Sequence, residues 1–382
     1  MLSEFLEIES MGKSLASENE RALEQKIVGE WMRLGFCFWE GMYDASPELS
    51  RFVQSLPKTE THIHLEGSCP FEMIERAFPG KYPNGPPMWA DDFRYESFYQ
   101  FMDYYVEFCE GVFTSAEAYH ACAKKVLSDC ASQNCHYVET SFHVGSLYSG
   151  AITGPQLVDA VLSAAPEGLE VRVVMGMRHN DYEGIGKEII DDCLSWERLW
   201  GIDLHGPEDY PLESWTAEVW KRAGAAGKFL KAHAGEFMPA SFVKRCIDEL
   251  GTRRIQHGVR SIEDPELVEY LAREGIALDV CPISNLKLAV EGIETMSDHP
   301  IRQLVDAGVL CTINSDDTLM FGNCLSEEYY ALHQDLGFSH LELARIALNG
   351  FLVADWDSSR KDDCISELKA IIDEREETQS YA

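Results

Sequence analysis

Basic residues are scarce in this chain: 32 Lys and Arg stand against 65 Asp and Glu, a net charge of −33. A field of that sign repels phosphate backbones and argues against a nucleic-acid partner. No apolar run is long enough to span a bilayer, so no membrane association is expected. The start, Met1-Leu2-Ser3-Glu4-Phe5-Leu6-Glu7, lacks the basic stretch and unbroken apolar core of a secretion signal. The 12 cysteines never form a C-x-x-C pair. Together these absences predict free thiols in a reducing, cytoplasmic setting, with Cys281 and Cys311 as core fillers.

What is present is a rhythm of short apolar runs and helical stretches. With 382 residues and 45% hydrophobic content, the chain can bury a large core. Residues 1–56 read as a helical extension or subunit contact, clearest from Glu18 to Met32. The first strand-like run is Thr61 to Leu65, and residues 70–90, rich in Pro and Gly, read as loop. Phe93 to Cys135 reads as mostly helical. Further runs begin at His136, Val171, Leu199, Phe229, Arg254, Ile276 and Val309, which makes eight with the first. Eight strands alternating with helices predict a (β/α)8 TIM barrel over residues 57–360, followed by a helical tail over 361–382. No glycine-rich dinucleotide fingerprint follows the first run, which counts against a doubly wound sheet.

The chemistry-bearing residues cluster at the ends of these runs. His62-Ile63-His64 closes the first, and side chains two apart on a strand share one face. His233 ends the fifth run, His257 the sixth and Asp316 the eighth. In a TIM barrel such positions converge on one mouth. His62, His64, His233 and Asp316 make a ligand set suited to one Zn²⁺ with a water completing the shell. Near them, Glu236 can protonate a substrate nitrogen, His257 can hold or deprotonate an attacking water, and Asp317 can accept a substrate N–H. That is a metal-assisted hydrolysis site. The fourth strand ends Asp203-Leu204-His205, without the bridging lysine of two-metal amidohydrolases. The H-x-E…P-C-x-x-C pattern of the cytidine-deaminase zinc site is also missing.

From Pro57 to Phe351 the chain resembles the adenosine/adenine deaminases of the amidohydrolase superfamily. The matching segments are Pro57-Lys58-Thr59-Glu60-Thr61-His62-Ile63-His64-Leu65-Glu66-Gly67, Met177-Arg178-His179 and Asp203-Leu204-His205-Gly206. They continue with His233-Ala234-Gly235-Glu236, His257-Gly258, Cys281-Pro282-Ile283-Ser284-Asn285 and Asn314-Ser315-Asp316-Asp317. The resemblance implies zinc-dependent hydrolysis of a 6-aminopurine to the 6-oxopurine and ammonia. It implies Glu236 as proton donor to N1, His257 beside the attacking hydroxide, Asp317 at N7 and the Gly206 N–H at N3. Glu66 stands where adenosine deaminases usually carry an Asp that contacts ribose. The longer side chain resembles the adenine-deaminase branch, so free or modified adenine is expected slightly ahead of adenosine. His205 stands where the family often has a small residue, either as a specificity element or turned to solvent. Phe98, Phe101, Met102 and Tyr105 share a helix face that lids the pocket in this family, or that packs as ordinary core. The sequence says nothing of oligomeric state.

Overall fold

The computed structural model describes residues 42–380, so the expected Glu18–Met32 helix and most of the N-terminal extension lie outside the described residues. A helix over Pro47–Ser55 starts at Ser46, whose Oγ accepts the Leu49 N–H at 3.2 Å. It leads into β1 (Lys58–His64). The other strands are β2 (Cys135–His143), β3 (Glu170–Arg178), β4 (Gly201–His205) and β5 (Phe229–Ala234). They are completed by β6 (Arg254–His257), β7 (Ala277–Val280) and β8 (Leu310–Ile313). All adjacent pairs are parallel and lie in chain order. The seam between β8 and β1 is closed by loop backbone: Asp316 N–H donates to His62 O at 3.0 Å and His64 N–H to Asp316 O at 2.9 Å. Asn314 Oδ1 also accepts the Thr61 N–H, at 2.7 Å. The result is the expected (β/α)8 barrel.

Alternation along the strands sorts the side chains. Val138, Val173, Ile255, Leu278 and Cys311 face the surrounding helices and are buried. The barrel interior is polar instead of the branched apolar filling common to this architecture. Lys231 Nζ lies 2.8 Å from Glu139, and Arg254 reaches Glu139 at 3.3 Å and Asp279 at 2.8 Å. Asp279 further accepts from Gln256 at 2.9 Å, Thr61 at 3.0 Å and Thr312 at 2.7 Å. Burial alone would raise the Asp279 pKa, but Arg254 and Lys231 outweigh it and hold the carboxyl at about 2.

Two expectations need correction. Residues 70–90 are not wholly loop: Phe71–Ala77 is a helix that starts after Pro70 and buries Ile74, and Pro87–Trp89 forms a 3₁₀ turn. β1 begins at Lys58, earlier than the apolar run suggests. The buried Lys58 ammonium donates to Val53 O at 2.5 Å and Leu56 O at 2.9 Å, so the preceding helix end satisfies it. Helices Phe98–Val112 and Ala116–Ser132 fill the crossover to β2, and the first reaches over the mouth. The final helix, Ser359–Ser380, buries Cys364, Leu368 and Ile372. Among the described residues no helix is long and apolar enough to cross a membrane, and every cysteine is free.

Candidate active site

His62 and His64 both point into the barrel mouth, as their spacing requires. There they meet His233 from β5. His62 Nε2 lies 3.2 Å from His64 Nε2 and 3.1 Å from His233 Nε2, with 3.2 Å between the last two. Asp316 Oδ1 is 3.2 Å from His62 Nε2 and 3.3 Å from His64 Nε2. Two of the rings have a hydrogen-bond partner at the other nitrogen, and the third lies beside a carboxylate. His62 Nδ1 faces the Asp279 carbonyl at 3.2 Å, His64 Nδ1 the Ser141 hydroxyl at 2.7 Å, and His233 Nδ1 the Asp203 carboxylate at 3.0 Å. A proton on Nδ1 leaves the Nε2 lone pair directed inward, the usual support for a metal-binding imidazole. Lone pairs this close repel one another unless a cation sits among them. Ligand bonds of about 2.0–2.1 Å give edges of roughly 3 Å between neighbouring ligands of one metal ion, close to the five spacings just given. The residues therefore fit a single metal ion.

Backbone strain helps to aim the side chains. His257 and Asp316 both hold left-handed conformations, at φ 61° and 63°, unusual for residues with a Cβ. Asp316 Oδ2 accepts the Ser284 hydroxyl at 2.6 Å. Burial would raise its pKa, but His62 and His64 outweigh that and hold it well below the usual carboxylate range. Glu236 shows the opposite balance. Burial, with Asp316 and Glu208 nearby, pushes its pKa well above the usual value and favours a protonated acid. Burial and the neighbouring His62 lower His257 well below its ordinary value, so its imidazole is neutral.

One amide joins these two groups. Asn285 Nδ2 lies 3.1 Å from Glu236 Oε1 and 3.1 Å from His257 Nδ1, while its Oδ1 is 3.2 Å from the buried His299 Nε2. The Glu236 backbone is pinned from the loop after β4: Glu208 accepts the N–H groups of Glu236 at 3.2 Å, Phe237 at 3.0 Å and Met238 at 2.6 Å. In the sequence, Ser284 and Asn285 belong to a matching segment that assigns them no role, and Glu208 lies outside every such segment. A carboxylate directly after Gly206-Pro207 was its only trace.

The cavity above the cluster is lined by Phe98, Phe101, Met102, Tyr105 and Leu288 on its apolar side, and by His143, Arg178, His205 and Gly206 opposite. The predicted aromatic helix thus covers the mouth. Asp317 faces the cavity with a buried Oδ1 that has no hydrogen-bond partner. It lies across Gly67, where a Cβ would fall 1.6 Å from that same oxygen. Glu66 is not in the lining. Its carboxylate accepts from Tyr119 at 2.8 Å, His143 N–H at 3.1 Å, Ser146 at 3.2 Å and Tyr105 at 3.4 Å. His179 is also absent from the lining, with its ring against Phe242. Cys281 sits just past β7 with Sγ 3.4 Å from His62 Nδ1, so it borders the metal cluster as well as filling core.

A family model described as adenosine deaminase matches residues 57–371. The adenine deaminase of Streptomyces coelicolor is 31% identical over 315 residues, 79% of this chain and 91% of the relative. Among solved structures, adenine deaminase from Arthrobacter aurescens is similar with a TM-score of 0.74 at 24% identity, covering 84% of this chain and 100% of that one. An amidohydrolase from Burkholderia ambifaria with bound Zn has a TM-score of 0.74 at 20% identity, covering 91% and 99%.

Proposed function

The chain belongs to the adenosine deaminase family, and from that premise we propose that it is a zinc-dependent aminohydrolase that converts adenine to hypoxanthine and ammonia. One zinc per chain is assigned to His62, His64, His233 and Asp316. A divalent cation in such a site brings the pKa of a water to about 7. The chain's own groups do the rest. Glu236, held protonated by burial, gives its proton to purine N1 and draws electrons from C6. His257 holds or accepts the proton of the water that adds to C6. Asp317 offers its unpartnered Oδ1 to the N7 edge, and the Gly206 N–H faces N3. The C6–N bond then breaks and ammonia leaves, so adenine and water become hypoxanthine and ammonia.

The observation that carries this reading is the convergence of His62, His64 and His233 Nε2 with Asp316 Oδ1 beside the buried Glu236 carboxyl. Adenine is favoured over adenosine because the Glu66 carboxylate lies outside the cavity lining, held by Tyr119, Ser146, Tyr105 and the His143 N–H. Glu236→Gln is the direct test. Ammonia release from adenine should fall by at least about 10²-fold while bound zinc stays at wild-type level. Unchanged turnover would remove the assigned role.

A further inference from the structure

The side of the mouth formed by β2, β3 and β4 carries no acid, base or ligand of the proposed reaction, yet it is built with care. His205 points inward from the end of β4 and is buried. It occupies space opened by Gly176 on the neighbouring strand: a Cβ there would lie 2.3 Å from the His205 ring. The ring lies parallel to that of His143, at 7° and 5.1 Å between centroids. His143 is itself anchored, with Nδ1 accepting the Gly145 N–H at 2.8 Å and Nε2 3.3 Å from Asp181. Asp181 also takes Arg178, at 2.8 Å, so three side chains brace this wall from behind. The His205 ring is 5.6 Å from that of His64 and 5.8 Å from that of His233. Its buried Nε2 has no hydrogen-bond partner among the described residues.

We propose that His205, braced by His143 and Asp181, selects the free purine base by occupying the space that a sugar at N9 would need and by hydrogen bonding the N3/N9 edge through Nε2. This rests on the deaminase reading of the same site. Glu236, His257, Asp316 and Asp317 come from β5, β6 and β8. A purine whose C6 and N1 face those groups turns its N3/N9 edge toward β2–β4. A braced aromatic wall there rejects bulk sterically, and an unpaired nitrogen rewards a base that supplies the missing partner.

The test uses zinc-loaded full-length protein as wild type, His205→Ala and His205→Ser, the second covering the case in which the first fails to fold. Two ratios are read: kcat/KM for adenosine over adenine, and equilibrium affinity for inosine over hypoxanthine by calorimetry. The expected result is a rise of at least tenfold in both ratios in the variants, with zinc content unchanged. Ratios within twofold of wild type, or a wild type that prefers the nucleosides, would overturn the assignment. If the affinity ratio shifts but no variant or wild type releases ammonia, the wall assignment holds and the deaminase reading falls. If adenine is deaminated and neither ratio moves, the wall assignment falls alone.

Discussion

At the scale of single residues, the site works because buried groups are pushed into opposite protonation states by what surrounds them. Asp316, beside His62 and His64, is held well below the usual carboxylate range, whereas burial with Asp316 and Glu208 nearby pushes Glu236 well above it. Asn285 touches both Glu236 and His257 and is not among the metal cluster. Asn285→Ala should therefore lower kcat by roughly 10–100-fold with little change in zinc content, the usual size of effect for an orienting partner. Steady-state kinetics beside metal analysis checks this, and an equal loss of zinc would mark a merely structural role. Much of this scale was legible in the chain. His62, His64, His233, Asp316, Glu236, His257 and Asp317 all reach one mouth, because strand ends in a barrel are bound to meet there. Asn285 and Glu208 were not legible as partners. Their roles depend on contacts across 28 to 49 residues of chain, which no local spacing encodes.

At the scale of elements, the crossover helix Phe98–Val112 does two jobs with one face. Phe101 stacks on Phe321 at 5.6 Å and 7°, tying the helix to the loop after β8. Phe98, half-buried, reaches Phe237 at 5.1 Å beside the Glu236 loop. Its exposure means that truncation removes cover more than core. Phe98→Ala is expected to raise KM for adenine several-fold, with kcat nearly kept and thermal stability shifted by less than about 1 kcal/mol. A fall in kcat with KM unchanged would place the residue in the chemistry instead. Periodicity alone left this helix either lid or core, since both roles bury an apolar stripe. The stripe both lines the cavity and packs on the core, with Phe101 buried. The short helix Phe71–Ala77 escaped notice because seven residues flanked by Pro and Gly give too little periodic signal.

At the scale of the whole molecule, the barrel is held from within by charge. Glu139, Lys231, Arg254 and Asp279 form a buried network beneath the metal cluster, and removing one partner leaves a buried charge unpaired. Asp279 carries a testable sign. Its folded pKa, about 2, lies below the ordinary aspartate value of 3.8, so its contribution is present above about pH 4 and lost as pH falls toward 2. The shift corresponds to about 2 kcal/mol. Denaturant unfolding of metal-free protein between pH 5 and 2 should lose that much in wild type, and Asp279→Asn should lack this part of the acid dependence. An identical slope in both would remove Asp279 from the account. By itself the sequence determined the eight-unit rhythm, the barrel it implies and which polar residues gather at its mouth, because period and strand-end placement are local properties of the chain. Only the tertiary structure decided that Glu66 is held by four donors, that His205 faces the cavity and that the interior is a charge network. Those depend on which side chains from different strands share a layer, and register across strands is set by the closed barrel as a whole.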